Sequence, residues 1–322
     1  MFERILIALD GSSRAELILT QIARILGRED SELLLLRVVD IPQPAGGMET
    51  AGVIDVHALR QAEREEAQRY VHDLARRFSA KGAKVHGRIG EGPAAQIILE
   101  TAQAEGATLI AMTTHGRTGV ARWLMGSVAE KVARASDVPL LLIRSFRRTS
   151  KGGLEPNTPE ETPFRRILVP VDGSPTSLSA VTPAEKFAQL FGSEILVLHV
   201  RPPSIGQSAA LPGMEAALPL FETPPIPADQ DEITRAAADR FRQAGLTARR
   251  LTVEGDAASS IVDLSFSEGA DLIALGTHGR SGLSRWALGS VAERVLRSAE
   301  VPLLLVRTPA PGKNPSGSRP SP

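Results

Sequence analysis

A chain of 322 residues with 37 Lys plus Arg against 37 Asp plus Glu has room for two domains of ordinary size and no net charge to draw it to nucleic acid. No apolar run reaches the ~20 residues a membrane helix needs, and the absence of cysteine excludes disulfides, thiolate catalysis and Cys-ligated metals. The opening MFERILIALD places Glu3 before a short apolar run and does not read as a signal peptide.

In chain order, RILIAL (4–9), ended by Asp10-Gly11, predicts a buried strand. SRAELILTQIARILG (13–27) has apolar residues at helical spacing and a glycine stop. ELLLLRVV (32–39) predicts a second buried strand, and residues 57–82 a long, charged amphipathic helix. KVHGRI (84–89) is a third strand, and PAAQIILETAQAEG (93–106) a helix with proline in its first turn and glycine at its end. TLIAMT (108–113), a glycine-containing loop, a helix and VPLLLIR (138–144) complete the unit. Alternating strands and helices predict a parallel sheet with helices on both faces. Such sheets take ligands outside the carboxyl ends of their strands.

The same order then repeats. RILIALDGS at residue 4 matches RILVPVDGS at residue 166, and THGRTGVARWLMGSVAEKV (114–132) matches THGRSGLSRWALGSVAERV (277–295) at thirteen of nineteen positions. Asp10 pairs with Asp172, an offset of 162, and His115 with His278, an offset of 163. A near-constant offset means a duplicated domain. The expected boundaries are a first domain over 1–145, a linker over 146–163, a second domain over 164–308 and a disordered tail over 309–322. The proline-rich stretch 201–228 is longer than its counterpart 40–52 and predicts either a functional lid or disorder.

The repeated loop carries the chemistry. Gly126-Ser127 and Gly289-Ser290 open a helix, and Ser127 with Glu130, like Ser290 with Glu293, spells the S-x-x-E of a capping box. A helix start there turns free N–H groups and its positive end toward the strand mouth. Glycines let a phosphate approach, and Arg117 and Arg280 add charge-assisted donors. One loop alone reads as a structural turn; its recurrence at a ligand-permissive strand end favours an anion site. Asp10 and Asp172, at the ends of the first strands, fit either a contact to ribose hydroxyls and a phosphate-bound metal ion, or an Asx turn. His115 and His278 read as backbone-bonded loop residues, and Trp123 and Trp286 as packing anchors. No G-x-x-x-x-G-K-[ST] occurs. GEGPAA (90–95) imitates a dinucleotide fingerprint but follows the third strand, and Val253 replaces its first glycine in the second half.

A first strand ending in Asp, with G-x2-G-x9-G-S between the fourth strand and the last helix, resembles the universal stress protein family in its tandem form. Gly276, Gly279, Gly289 and Ser290 match the motif fully; the first half matches at Gly116, Gly126 and Ser127 but has Thr113 at the first glycine. The resemblance implies an α/β fold, doubly wound with strand order 3-2-1-4-5 in each domain, and ATP bound without a P-loop. It also implies a cytoplasmic stress-response role and association through the last strand. Carried over by position, it places the adenosine end near Ala8, Asp10 and Val38, or Pro170, Asp172 and Val200. The phosphates then lie on the loop and on Ser127-Val128 or Ser290-Val291. The expectation is an ATP-binding regulatory homodimer that uses Mg through Asp10 or Asp172, has no catalytic residues, and leaves room for a regulatory protein partner. A slow Mg-dependent ATP hydrolase and a nucleotide-independent scaffold are the alternatives; an enzyme needs a base at the attacking water, and His115 and His278, with no titratable partner at fixed spacing, make no convincing one.

Overall fold

The computed structural model describes residues 2–26, 31–40, 56–80, 82–114, 125–148, 154–156, 164–203, 229–277 and 288–308. The first half runs β1 (Arg4–Leu9), α1 (Leu17–Leu26), β2 (Glu32–Val39), α2 (Val56–Ser79), β3 (Lys84–Glu91), α3 (Ala94–Ala104), β4 (Leu109–Thr113), α4 (Ser127–Ala135) and β5 (Leu140–Ile143). Two short strands follow, β6 (Phe146–Arg148) and β7 (Leu154–Pro156). The second half runs β8 (Arg166–Pro170), α5 (Pro175–Leu178), α6 (Val181–Phe191), β9 (Glu194–Arg201), α7 (Asp229–Gln243), β10 (Ala248–Glu254), α8 (Ala257–Ser267), β11 (Leu272–Thr277), α9 (Ser290–Ser298) and β12 (Leu303–Arg307).

Each half is a parallel sheet of order 3-2-1-4-5, as the resemblance implies, and the halves join into one ten-stranded sheet: β10-β9-β8-β11-β12-β5-β4-β1-β2-β3. The join is antiparallel, with Leu142 opposite Leu303, Leu141 opposite Leu304 and Leu140 opposite Leu305. The last strands therefore satisfy each other's edges within one chain. The outer edges are β3 and β10, whose exposed Lys84, His86, Arg88, Arg249 and Arg250 blunt further pairing.

Because strand side chains alternate between faces, the sheet carries two cores. One packs β-strand residues such as Ile7, Leu35 and Val197 under α1, α2, α6 and α7; the other packs Leu6, Leu36 and Leu198 under α3, α4, α8 and α9. Both cores run through both halves. Phe2 of the first half meets Phe187 of the second edge-on at 5.6 Å, and Phe187 meets Phe164 at 5.0 Å. The halves are also clamped by charge. Arg144, just beyond β5, donates to the Leu296 carbonyl in the last turns of α9 at 2.9 Å, and its counterpart Arg307 donates to Ala135 O at the end of α4 at 3.2 Å. Each guanidinium meets the negative end of the other half's last helix.

Two local expectations need correction. The first helix was expected from residue 13, but 13–16 are turns and α1 begins at Leu17. The polar linker contains a ribbon, with Phe146 opposite Pro156 and Arg148 opposite Leu154, which its turn-rich composition hides. The stretches 204–228 and 309–322 lie outside the described residues.

Candidate functional site

Registers bring the carboxyl ends of β1, β2 and β4 side by side: Ala8 pairs with Leu36, and Ile7 with Ala111. Ala8 and Val38 are buried on the α3/α4 face of the sheet, and Val128 of α4 packs against the same core. In the second half Val200 and Val291 pack there in turn. Pro170 is buried at the end of β8.

Past β1 and β8 the chain makes matching turns. Asp10 Oδ1 accepts from Ser12 N at 3.0 Å and Ser12 Oγ at 2.6 Å; Asp172 Oδ1 accepts from Ser174 N at 2.9 Å. These are Asx turns, made possible by the left-handed Gly11 (φ 80°) and Gly173 (φ 81°). Burial raises the Asp172 pKa, but hydrogen bonds from Ser174 and Ser177 outweigh it and hold the carboxyl below its ordinary value.

The helices that follow the glycine loops begin differently from the expected capping box. Gly126 (φ −59°, ψ 143°) and Gly289 (φ −61°, ψ 147°) are the N-cap residues, so Ser127 and Ser290 are the first helical residues rather than the caps. As glycines, these N-cap residues have no side chain with which to cap either helix. Glu130 and Glu293 turn away to Arg134 (2.8 Å) and Arg297 (2.7 Å) four residues on, drawn by the stronger charge-assisted bond. Among the described residues the first-turn N–H groups of α4 and α9 have no intrahelical or N-cap side-chain acceptor, and they lie beside an exposed serine hydroxyl. Gly126 N–H donates to Thr114 O at 2.8 Å and ties the helix start to the end of β4. The loop residues His115, Gly116, Arg117, Trp123, His278, Gly279, Arg280 and Trp286 lie outside the described residues.

Thr113 and Gly276 stand on the opposite face of the sheet from Ala8 and Val38. Both are strand residues; Gly276 pairs with Val306, and the position requires no positive φ. Glycine is needed there for another reason: a Cβ on Gly276 would overlap the backbone of Thr176 in α5, which rides directly on the strand end. The first half has no helix at 13–16, and Thr113 is accommodated.

Sequence reasoning missed two features. A Cβ on Gly90 would collide with Ile97, which reaches across it toward Val38, whereas the second half exchanges this pair for Val253 and Ser260. The apparent dinucleotide fingerprint is thus a packing pair, visible only by comparing the halves. Arg294 of α9 also grips Asp256, the N-cap of α8, with two bonds of 2.7 Å. That guanidinium, helped by Ser259, holds the Asp256 carboxyl far below the usual carboxylate range. No sequence signal links positions 38 residues apart, and the first half has Pro93 and Lys131 instead.

The matched architecture at both strand mouths agrees with the comparisons. Residues 1–144 and 163–307 each match the universal stress protein family. The chain belongs to this family. A universal stress protein of Methanocaldococcus jannaschii is 32% identical over 149 residues, 46% of this chain and 85% of the relative. One from Mycolicibacterium smegmatis is 24% identical over 316 residues, covering 94% and 96% of the two chains. The crystal structure of a universal stress protein from Archaeoglobus fulgidus superposes with a TM-score of 0.71 at 19% identity, covering 96% of this chain and all of that one. The tandem arrangement is thus shared along nearly the full length, and with it the fold. No helix among the described residues is long and apolar enough to cross a membrane.

Proposed function

We propose that each domain binds one ATP, that the bound nucleotide sets a regulatory state of this universal stress protein, and that turnover is slight or absent. The observation that carries the reading is the uncapped start of α4 and of α9, where a glycine N-cap leaves first-turn N–H groups beside Ser127 or Ser290. Such an end favours a polyanion through both hydrogen bonds and the helix dipole. Ala8, Asp10 and Val38, or Pro170, Asp172 and Val200, hold the adenosine end; Gly116, Arg117, Gly279 and Arg280 add to the phosphate end. Among the described residues no group of three His, Cys, Asp or Glu side chains could hold a metal ion. Magnesium enters with the phosphates in this reading, with Asp10 or Asp172 as its protein carboxylate. The same reading places the protein in the cytoplasm and puts any homodimer contact away from β5 and β12, which pair with each other.

Nucleotide extracted from the purified chain should be ATP, at up to two per chain, and added ATP should raise the melting temperature by mass action. A chain that carries no nucleotide and whose melting temperature ignores ATP overturns the reading. Phosphate release well above that of a Ser127→Glu, Ser290→Glu control overturns the low-turnover part alone.

A further inference from the structure

On the other face of the sheet, α7 stands off from α5 and α6 and leaves a groove of about 380 Å³. Gly173, Leu178, Val181, Ile233, Ala236 and Ala237 line it. Glu232 and Arg240 lie at its ends, two turns of α7 apart. The duplication supplies an internal control. At the corresponding positions the first half has Glu16 for Leu178, Leu19 for Val181, Tyr70 for Ile233, Asp73 for Ala236 and Leu74 for Ala237. The register is secure, because the buried Phe78 and Phe241 flank these positions at the same offset.

Every difference either shortens a side chain or removes a charge. In the first half Leu19 and Leu74 are buried, and Tyr70 packs against the same core. Burial, with the Glu16 carboxylate beside it, pushes the Tyr70 phenol pKa up. In the second half Ile233 leans toward the turn, so that a Cβ on Gly173 would lie 2.6 Å from its Cδ1. The buried Val181 and Ala237 form the floor, and Leu178, 41% exposed, stands at the mouth.

We propose that this groove binds a small uncharged molecule built on one aromatic ring, seated where the Tyr70 ring and Leu74 lie in the first domain. Its volume falls within the range of small-molecule pockets, roughly 300–1,000 Å³, and is too small for a helix face. The charge pattern selects the chemistry. The floor offers no polar partner, so an ionic group would be desolvated without compensation. Arg240 already donates to Glu185 at 3.2 Å and to Thr182 at 2.6 Å. An apolar ring loses only its own hydration there, which favours binding. The site lies across the sheet from the uncapped helix ends and does not depend on the nucleotide reading.

The test titrates p-cresol, the side chain of tyrosine, into the full chain and follows binding by NMR and calorimetry. One saturable equivalent per chain is expected. Ile233→Tyr with Ala237→Leu, which restores the first domain's residues, should weaken binding at least tenfold while leaving the melting temperature equal or higher. Ala237→Leu alone narrows the same floor and serves if the double variant does not fold. Tyr70→Ile with Leu74→Ala should open a second equivalent in the first domain. The proposal is overturned if the wild type takes up no p-cresol at millimolar concentration, or if the filled groove binds as tightly as the open one. It is equally overturned if filling changes the particle mass, which makes a second copy the occupant. Uptake only after deletion of 204–228 overturns it too, since the chain itself is then the occupant.

Discussion

The two domains are alike where they meet each other and at the start of their last helices, and unlike behind the sheet. Arg144 and Arg307 make the same clamp in opposite directions, and Gly126 and Gly289 leave the same uncapped helix start. Behind the sheet, the first domain has turns at 13–16, Thr113 and a packed Tyr70; the second has α5, Gly276 and a groove. The lesson is physical. An uncapped helix and a strand-edge pair depend on backbone groups that only one local geometry supplies. Apolar packing, by contrast, tolerates many solutions of similar energy, so pairs such as Gly90 with Ile97 and Val253 with Ser260 interchange.

The sharpest way to break that comparison is to exchange the residues at the end of the fourth strand. Gly276→Thr puts a branched side chain where the Thr176 backbone lies. Either α5 lifts or β11 shifts, and the expected destabilisation is about 3 kcal/mol. The reverse change, Thr113→Gly, meets no such obstacle and costs about 1 kcal/mol through backbone entropy in a strand. Urea unfolding of both variants measures the difference. Equal midpoints would show that α5 is not what demands the glycine.

Much of this was legible in sequence because it rests on local rules. The strand runs, the near-constant offset of Asp10 to Asp172 and His115 to His278, and the strand-end position of the glycine loops all follow from periodicity and turn chemistry. The capping box does not form, because Gly126 and Gly289 occupy the cap and Arg134 and Arg297 outcompete the backbone for the glutamates. The Asp256–Arg294 pair, the β6–β7 ribbon and the cross-domain clamps join residues distant in sequence or set in polar stretches, and no spacing rule reports them.

The clamps give the next largest effect. Arg144→Met removes a charged donor from the half-buried end of α9 and should cost about 2 kcal/mol. Arg307→Met should cost less, since its bond to Ala135 O is longer and its second partner, Asp137, is 80% exposed. If both changes leave the denaturant midpoint in place, the shared cores and the antiparallel β5–β12 pair hold the domains together without the clamps.

Nucleotide affinity sharpens the comparison from the front of the sheet. The first domain lacks the motif's first glycine, and Thr113 adds a side chain behind the loop, but no backbone strain accompanies it. Binding should survive in both domains, with the second tighter by about tenfold or less, or about 1.4 kcal/mol. Ser127→Glu and Ser290→Glu should silence one site at a time by placing a carboxylate in the first helical turn, where the proposed phosphate site lies. ATP titration of each protein reads the remaining site. A first-domain site that is silent, or tighter than the second, refutes the argument.

Acid should separate the domains by the smallest margin. Glu32 in the first domain is held below its ordinary pKa by its hydrogen bond to Arg4, and Asp172 in the second by hydrogen bonds that outweigh its burial. For groups with depressed folded pKa values, the stabilisation is fully present above the unfolded pKa, near 4, and is lost as pH falls through the folded value. Both contributions therefore stand unchanged at neutral pH and disappear only below about pH 4. Glu32 shares an exposed network with Arg4 (2.7 Å) and His86 (2.7 Å), so solvent screening keeps its share under about 1 kcal/mol. Asp172 is solvent-exposed as well, and its stabilisation rests on the hydrogen bonds of its turn, so its loss should be equally small. Measuring unfolding free energy from pH 6 to pH 3 for wild type, Glu32→Gln and Asp172→Asn tests this. Both variants should start lower than wild type and lose less on acidification; a variant curve that stays parallel to wild type removes that carboxylate from the account.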